Sequence, residues 1–497
     1  MRDDPAPPAR LVQRRLTRPI DPAQLYAALC DRKDTALFEG NEGTTLLLER
    51  ASVRAECRGS EVRLNALTAN GESLLRALGG NSGEPLILSY PLCHSHDAAD
   101  RLRAPAPLDS IRRLLAAADG RSPFAALALG VIGFDHATVG EELPDDQDDP
   151  LGAPDYLFWI AESLILFEPG APPRLLCAAF PDPDPGRARR NHHDAVDRLA
   201  ALVAACEAPL PPLLPPIAPA DPGEVAVDLD DAAYCALVSA CKERIAAGEV
   251  YQIVPSRTFS APCHDPFAAY LALRTLEPNS YRFFARAPGF TLFGASPETA
   301  VRVTRDRMVE LRPIAGTRPR GCTPDEDDRF EAELRLDDKE LAEHMMLVDL
   351  ARNDVARVSA PGTRRVANLL TVERYARVMH LVSSVTGRLA DGLDAFHALA
   401  ACLNVGTLVG APKLRATALL RAGERTRRGP YGGAVGWMDG AGAADSAVVI
   451  RSALVRDDTA YVRVGAGVVH DSVPQAEADE TRRKASALLS ILAGAER

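Results

Sequence analysis

The clearest periodic pattern of apolar and polar positions lies in residues 230–250, DDAAYCALVSACKERIAAGEV. Apolar side chains recur there at the spacing of one helix face, at Tyr234, Leu237, Cys241 and Ile245. Asp230 can cap the N-terminus of such a helix, and Gly248 can end it. The pattern therefore predicts a helix between these two residues that leads into a strand, VYQIVPSRTF.

A second pattern, in residues 446–469, is typical of strands. The segment SAVVIRSALVRDDTAYVRVGAGVV contains two β-rich runs on either side of RDD, which indicates a hairpin followed by a glycine-bearing corner. Strands and helices do not alternate regularly along the chain. We therefore expect an α+β fold with a largely antiparallel sheet.

The segment DDKELAEHMMLVDLARND, residues 337–354, predicts an amphipathic helix that carries Glu340 and Glu343 three positions apart. The positions expected to face the core follow an i, i+4, i+7 spacing at Leu341, Met345 and Val348. The two glutamates share the adjoining stripe with Leu347. Such a pair is either a solvated charged face or one half of a metal site.

A matching pair occurs in PQAEADETRRKASALLSIL, residues 474–492, where Glu477 and Glu480 precede Lys484. One interpretation is a surface Glu-to-Lys pair that stabilises the helix by about 0.2–0.5 kcal/mol. The other is that four carboxylates on two helices hold a hard cation such as Mg²⁺. The spacing alone leaves both interpretations open.

The proline-rich segment EAPLPPLLPPIAPADPGE, residues 207–224, predicts a stiff connector because repeated proline excludes helix and sheet interior. It divides the 497 residues into an N-terminal domain, 1–206, and a C-terminal domain, 225–497. With 46% hydrophobic residues the chain can bury a substantial core.

The net charge of −11 argues against a nucleic acid or an anionic membrane as a partner, because phosphate attracts basic surfaces. The ten cysteines form no CxxC pair, and no uncharged apolar stretch of about 18 residues is present. We therefore expect a cytoplasmic protein without a membrane segment. Any anionic ligand must be met by locally placed cations.

A series of motifs lies in order between residues 248 and 487: GEVYQIVPSRTF, FTLFGASPE, LRPIAGTRPRG, DKELAEHMMLVDLARND, VMHLVSSVTGRL, LNVGTLVGAPKLRA, GPYGGAVGW, IRSALV and VGAGVVHDSVPQAEADETRRKA. Together they resemble the chorismate-utilising enzymes, and most closely the large subunits of the anthranilate-forming branch. TTLLLER (44–50) and GVIGFDH (130–136) extend the resemblance loosely into the N-terminal half. The resemblance implies large, mostly antiparallel sheets packed with helices, with the N-terminal part interleaved with the catalytic part.

The resemblance implies that Glu343 and Glu480 bind Mg²⁺, with Glu340 and Glu477 close by. The ion would grip the ring carboxylate of chorismate, a dianion that gains from a divalent cation in an acidic protein. By motif, the residues that meet the substrate are Gly316, Thr317, Tyr431, Arg451, Gly465, Ala466, Gly467 and Lys484. Arg451 has independent support, because an arginine in the middle of an apolar strand needs a buried anion, either a substrate or a structural partner.

The identity of the nucleophile follows from two positions. By the resemblance, family members that add water at C2 of the ring carry a lysine base where this chain has Gln252. An amide cannot take a proton at neutral pH, so activation of water is disfavoured here. By the resemblance, the branch that forms a 4-amino product carries the motif PIKGT, whose lysine attacks C2. This chain reads PIAGT, with Ala315 in place of that lysine. Ammonia is then left to add directly at C2.

The remaining catalytic positions follow by motif. Glu298 matches the general acid that assists departure of the 4-hydroxyl, and His380 with nearby Thr407 matches the group on which loss of pyruvate depends. The expected reaction is chorismate and ammonia to anthranilate and pyruvate through 2-amino-2-deoxyisochorismate. The alternative is an enzyme that releases this intermediate without eliminating pyruvate.

No glutaminase motif is visible in the sequence. The resemblance implies that glutamine-derived ammonia comes from a separate amidotransferase subunit, in an assembly of two large and two small subunits.

Large subunits of the family usually bind tryptophan as an inhibitor, and here that site departs from the family pattern. Glu49 and Tyr281 are retained, but Arg50, Ser280 and Arg282 replace the usual serine, proline and methionine. Two guanidinium groups would crowd the indole and repel the amine, at a cost of more than about 1–3 kcal/mol. We expect weak or absent tryptophan inhibition, as would suit a specialised pathway, unless both arginines point outward.

Overall fold

The computed structural model describes residues 10–40, 43–118, 123–136, 141, 143–144, 147–213, 216–278, 281–375 and 378–495. The helices are α1 (Pro22–Leu29), α2 (Ala69–Ala77), α3 (Ala98–Arg103), α4 (Asp109–Ala117), α5 (Pro185–Glu207), α6 (Asp231–Ala246), α7 (Pro266–Leu276), α8 (Pro324–Arg335), α9 (Asp338–Val358), α10 (Ala395–Cys402), α11 (Gly406–Val409), α12 (Lys413–Gly423) and α13 (Pro474–Ala495). The strands are β1 (Arg10–Arg15), β2 (Thr35–Glu39), β3 (Thr45–Arg58), β4 (Glu61–Ala66), β5 (Leu86–Ser89), β6 (Leu127–Ile132), β7 (Tyr156–Phe167), β8 (Arg174–Ala179), β9 (Ala226–Val227), β10 (Gln252–Ile253), β11 (Ser256–Pro262), β12 (Tyr281–Ala287), β13 (Phe290–Ser296), β14 (Thr299–Val303), β15 (Met308–Leu311), β16 (Ile314–Pro319), β17 (Arg365–Arg374), β18 (Val378–Arg388), β19 (Gly410–Ala411), β20 (Ala434–Asp439), β21 (Ala444–Val448), β22 (Ser452–Arg456) and β23 (Thr459–Gly465).

A hydrogen-bonded network of 21 strands divides at the long pair β3 and β7 into two branches. The first branch continues from β7 through β6, β20, β21, β14 and β15 to β18, which β16 and β17 flank, and ends on the other side in β4 and β5. The second branch continues from β3 through β2, β12, β13, β22, β23 and β11 to β9, and on the β7 side it ends in β8 and β1. Every pairing between named strands in the described residues is antiparallel, and the expected α+β class is confirmed.

Strands from the N-terminal half lie inside both branches. β2 pairs with β12, where Glu39 lies opposite Arg282, and β6 pairs with β20, where Ile132 lies opposite Ala434. The interleaving expected from the sequence is therefore confirmed. The division at residues 207–224 stays a prediction. α5 ends at Glu207, and the described residues between it and β9 form no helix or strand.

Two helices bring the glutamate pairs to the sheet network. α9 packs on β16 and β18 of the first branch, and α13 packs on β11 and β23 of the second branch and on α6. Among the residues that the structure describes, every helix is too short or too polar to cross a membrane.

The predicted helix after Asp230 is confirmed as α6. The Asp230 side chain accepts a hydrogen bond from the Ala233 amide, and Gly248 adopts a φ of 76°, a conformation that glycine allows at a helix end. The predicted hairpin is formed by β22 and β23, with Asp457 and Asp458 in the turn at φ of 49° and 57°. The single strand predicted directly after α6, VYQIVPSRTF, is broken into β10 and β11.

Two details of the sequence prediction are wrong. Met345 is 43% exposed, and Leu347, placed beside the glutamates, is buried. The face of α9 that packs on β18 and α10 is rotated from the predicted one and follows His344, Leu347, Val348, Ala351, Val355 and Val358. Arg451 does not lie within a strand, because it joins β21 to β22 in a left-handed backbone conformation with a φ of 49°.

Candidate active site

Glu298 follows β13 at the turn into β14, where the main chain leaves its carboxyl group inside the protein. The residue is 8% exposed, and the Thr407 hydroxyl donates a hydrogen bond of 2.6 Å to its Oε1 atom. Burial raises the pKa of Glu298 to about 7, although the Thr407 hydrogen bond and the Lys484 charge oppose the rise. A carboxyl group with this pKa can both hold and release a proton near neutral pH.

Gln252 occupies β10, which pairs with β19 through Gln252 and Ala411. Its side chain is buried, and its Oε1 atom has no hydrogen-bond partner among the described residues. Two glycines make room for it. A Cβ atom at Gly467 would lie 2.8 Å from the Gln252 Nε2 atom, and one at Gly410, whose φ is 121°, would lie 2.1 Å from the Gln252 carbonyl oxygen. The Gln252 Oε1 atom can therefore accept a hydrogen bond from a small donor molecule.

His380 lies in β18 opposite Thr317 of β16. Its Nδ1 atom is 3.0 Å from the Gly316 carbonyl oxygen and 3.1 Å from the Thr317 hydroxyl. A carbonyl only accepts, so Nδ1 carries the proton and Nε2 keeps the lone pair. Burial lowers the pKa of His380 below its ordinary value, against the opposing effect of the Gly316 hydrogen bond. The imidazole is therefore neutral at pH 7, with Nε2 able to accept a proton.

The four predicted metal-binding glutamates interact electrostatically across α9 and α13. Burial raises the pKa of Glu343, and the charges of Glu340, Glu477 and Glu480 raise it further. Burial also raises the pKa of Glu477, again with a contribution from Glu480. A cluster of carboxylates that raise each other's pKa is stabilised by a cation between them.

The carboxylates do not converge in the conformation described. Lys339 Nζ lies 3.8 Å from Glu343, and Lys484 Nζ lies 2.7 Å from Glu480. Within the described residues no three His, Cys, Asp or Glu side chains are close enough to hold one ion together. The oxygen donors fit a hard divalent ion in chemistry, and binding it would require Glu343 and Glu480 to turn from these lysines.

Cationic and hydroxyl groups lie near Gly465, at the end of β23. Lys484 Nζ donates to the Gly465 carbonyl oxygen at 2.9 Å, and a Cβ atom at Gly465 would lie 3.1 Å from the Tyr431 hydroxyl. Burial raises the pKa of Tyr431 to about 12, so its hydroxyl stays protonated. The Arg451 guanidinium makes no hydrogen bond or ion pair with any described residue, and burial lowers its pKa. A buried cation without an ion pair can bind the anionic group of a ligand.

The structure brings the predicted catalytic, substrate and metal positions into one connected region, the candidate substrate cleft. Lys484 acts on the pKa of Glu298, Arg451 acts on that of His380, and a Cβ atom at Gly316 would lie 3.2 Å from Glu340 Oε2. One expected contact is already occupied, because the Ala466 amide donates to the Pro255 carbonyl oxygen at 3.3 Å.

Of the predicted regulatory residues, Glu49 and Arg50 lie in β3, and Tyr281 and Arg282 lie in β12. Glu49 is buried, with Arg32 Nη2 at 2.5 Å from its Oε1 atom and Arg198 on the same carboxylate. Arg50 Nε is 3.9 Å from Glu162 Oε1.

At the second regulatory segment, Arg282 Nε is 3.2 Å from Glu39 Oε2, a carboxylate that Arg274 also binds. The Tyr281 hydroxyl donates to Asp445 at 3.0 Å, and Ser280 lies outside the described residues.

Sequence reasoning missed a buried ionic network beneath the site. Glu424 accepts from Arg428 Nη2 at 2.6 Å, from Arg463 Nη2 at 2.9 Å and from the Ser256 amide and hydroxyl, both at 2.8 Å. Arg428 stacks over Phe134 at 4.4 Å. The signal was present in the arginine of the apolar strand AYVRVG and in GERTRRGP directly before Tyr431, because charges beside buried segments need partners.

Comparisons with known proteins indicate the family of the chain. A family model for chorismate binding enzymes matches residues 80–490. The chain is 43% identical to "Anthranilate synthase component 1" of Vibrio cholerae, covering 98% of this chain and 96% of that protein. It is 47% identical to "Anthranilate synthase component 1, pyocyanine specific" of Pseudomonas aeruginosa, over 90% of this chain and 86% of that one.

Among solved structures, anthranilate synthase component I from Streptococcus pneumoniae superposes with a TM-score of 0.73 at 29% identity, covering 90% of this chain and 92% of that one. The family match and these relatives cover nearly the whole sequence, including α9, α13 and the strands on which they pack. The chain therefore belongs to the chorismate binding enzyme family.

Proposed function

We propose that the chain is the large subunit of an anthranilate synthase, which converts chorismate and ammonia into anthranilate, pyruvate and water. The observation that carries the proposal is the buried Glu298 carboxyl, which has a pKa of about 7 and accepts a hydrogen bond from the Thr407 hydroxyl. The neutral His380 supports the second step. Relatives named for this activity over nearly the whole chain support it.

Chorismate carries two carboxylates, and the cleft offers separate cations for them. We assign the enolpyruvyl carboxylate to Arg451, which has no anionic contact of its own, and to the protonated Tyr431 hydroxyl. Lys484 contributes charge near the second carboxylate, together with the backbone of Gly465 and Gly467, whereas the Ala466 amide is occupied by Pro255. Gly316 and Thr317 line the opposite wall, where they also hold His380.

Glu343 and Glu480, with Glu340 and Glu477 beside them, would hold Mg²⁺. When bound, the ion neutralises the ring carboxylate in a protein of net charge −11. The raised pKa values of Glu343 and Glu477 support this assignment, since a cluster of like charges favours a cation.

In the first chemical step, the ammonia nitrogen forms a bond to C2, the two ring double bonds shift to C1=C6 and C4=C5, and the bond from C4 to its hydroxyl oxygen breaks. Gln252 Oε1 accepts a hydrogen bond from ammonia and so positions it, while its amide cannot activate water. Ala315 provides no nucleophile. Glu298 gives its proton to the departing hydroxyl, which leaves as water.

In the second step, the intermediate loses the proton on C2 and the enolpyruvyl oxygen leaves from the neighbouring carbon, which makes the ring aromatic. His380 is neutral and has its lone pair on Nε2, which suits it to take this proton. The enolpyruvate released becomes pyruvate by gaining a proton on carbon.

The ammonia is expected to come from a separate amidotransferase subunit in an assembly of two large and two small subunits. The word "component" in the relatives' names supports a second component. Ammonium salts should replace that partner in an assay.

The activity and its second step can be tested together. With chorismate, Mg²⁺ and ammonium, the wild-type chain should form fluorescent anthranilate and equimolar pyruvate. His380→Gln should slow pyruvate release by about 10²- to 10⁴-fold and accumulate a non-fluorescent aminated product. His264→Gln, at an exposed histidine in the loop after β11, is the matched control. A wild-type chain that released only the aminated product would contradict pyruvate elimination and support the intermediate-releasing alternative.

The role of Glu298 predicts a specific pH dependence. Glu298 must be protonated to act as an acid, so kcat/KM should fall as pH rises through its pKa near 7. Thr407→Val removes a hydrogen bond that lowers this pKa, and the descending limb should move up by about one pH unit. Thr386→Val, whose hydroxyl has no partner among the described residues, should leave the limb in place. A downward shift in Thr407→Val would refute the assignment.

The metal assignment is tested by Glu343→Gln and Glu480→Gln. Each variant should lose about 100-fold or more in kcat/KM and need more Mg²⁺ for half-maximal activity, while circular dichroism stays unchanged. Glu333→Gln, on the exposed side of α8, is the matched control. Near-normal activity and Mg²⁺ dependence in either variant would show that its carboxylate is not a ligand.

We further propose that tryptophan inhibition is weak or absent. Glu49, the carboxylate that would receive the tryptophan ammonium, already forms ion pairs with Arg32 and Arg198. Arg282 forms an ion pair with Glu39 in the second regulatory segment. Titrated tryptophan should leave anthranilate formation unchanged into the millimolar range. The double variant Arg50→Ser with Arg282→Met should become more sensitive. Half-inhibition of the wild-type chain at micromolar tryptophan would contradict the proposal.

A further inference from the structure

A large cavity lies away from Glu298, between the N-terminal half and the helices that follow β18. Its volume is about 240 Å³. α3 and the start of α4 form one wall, and α10 and α12 form the other. Phe396, Leu102, Ile132 and Leu403 give it apolar surface. The space is large enough for a small organic molecule, and it belongs to neither the chorismate cleft nor the regulatory segments.

Several polar atoms of the cavity wall lack partners. Asn404 is 3% exposed, and its Nδ2 atom donates to the Phe134 carbonyl oxygen, which leaves Oδ1 as an acceptor without a partner among the described residues. The Tyr90 hydroxyl, at 7% exposure, and Arg101 Nε also make no hydrogen bond there. Burial raises the pKa of Tyr90, and the neighbouring cations Arg113 and Arg112 oppose this rise. Buried groups left open in this way cost stability unless a ligand or water meets them.

The charged groups at the cavity favour an anion. Arg103 and Arg357 line it, and each donates only to a backbone carbonyl, of Ala99 and Ala401 respectively, without a carboxylate within ion-pair distance among the described residues. Arg101 contributes a third guanidinium, although its Nη2 atom is 3.3 Å from Glu141. Cations and hydroxyl donors suit a carboxylate, and the open Asn404 oxygen suits an N–H or O–H group on the same molecule.

The cavity wall continues into the acid site. Leu403 and Asn404 line the cavity, and Val405, Gly406 and Thr407, which follow directly, line a smaller cavity that also contains Glu298. Asp354, paired with Lys413 at 2.5 Å, lines both cavities. A molecule that contacts Asn404 therefore contacts the segment whose Thr407 hydroxyl donates a hydrogen bond to Glu298 and lowers its pKa.

We propose that this cavity is an effector site for a small carboxylate that carries an apolar ring and an N–H or O–H donor. An amino acid with an aromatic side chain and an aminobenzoate share this chemistry. Binding at the cavity is independent of the reaction assigned above, whereas the effector role rests on the proposed function.

Calorimetry on the full chain tests binding with three probes: L-phenylalanine, 2-aminobenzoate and 2-phenylethylamine, which lacks the carboxylate. At least one of the two carboxylates should bind, and the amine should not. Tyr90→Phe removes one open hydroxyl and should weaken binding about fivefold. Ala400→Trp places an indole from an exposed position of α10 into the cavity and should weaken binding about tenfold or more.

Tyr461→Phe, in β23 and outside this cavity, is the control and should bind like the wild-type chain. The two carboxylate probes identify the kind of effector. Binding of 2-aminobenzoate but not of phenylalanine indicates the reaction product, and binding of phenylalanine but not of 2-aminobenzoate indicates an amino acid. The site is refuted if neither carboxylate binds at millimolar concentration, or if binding persists unchanged in both Tyr90→Phe and Ala400→Trp. Binding that leaves kcat and KM for chorismate unchanged overturns the effector role, and the binding data remain valid even if another reaction is catalysed.

Discussion

The arrangement of the cleft depends on one buried carboxylate, Glu424. Burial alone would raise the pKa of Glu424, but Arg428 and Arg463 lower it below its ordinary value, so it stays charged in the interior. Breaking such a pair by removing one partner costs about 3–5 kcal/mol, because it leaves an unpaired buried charge. The network is therefore a strong constraint on the position of each segment that it joins.

Those segments carry the groups assigned to chemistry. Arg428 donates to the Val254 and Leu408 carbonyl oxygens at 2.6 Å and 2.7 Å, which lie two residues after Gln252 and one after Thr407. Arg463 belongs to β23, whose last residue, Gly465, accepts from Lys484. One ionic cluster thus fixes the nucleophile side and the acid side of the cleft relative to each other. The helices with the glutamates add the remaining side, held by packing on β18 and β23.

The sequence predicted the elements and the site to different degrees. Motif order was sufficient for the fold class and for placing Glu298, Thr407, His380 and Lys484 in one region, because each motif ties a residue to a strand end or helix face. The buried face of α9 was predicted wrongly, since the i, i+4, i+7 pattern fitted Met345 as well as its neighbours. Only the tertiary contacts with β18 and α10 select the His344 and Leu347 face.

Long-range pairing explains what sequence reasoning could not provide. The partners of Glu49, Arg32 and Arg198, come from positions 17 and 149 residues away, and no local pattern indicates such distances. The same holds for Glu424 and Ser256, which are 168 residues apart.

An acidic protein that binds a dianionic substrate must place cationic side chains at individual positions. It can do so by leaving those side chains without ion-pair partners. Most arginines here form ion pairs, whereas the Arg451 guanidinium has none among the described residues despite its burial. The left-handed backbone at this residue, with a φ of 49°, is uncommon outside glycine and directs an arginine out of the strand at the junction of β21 and β22. The strained backbone and the unpaired charge are both unfavourable for folding alone. The proposed binding of a substrate carboxylate by Arg451 accounts for the unpaired charge.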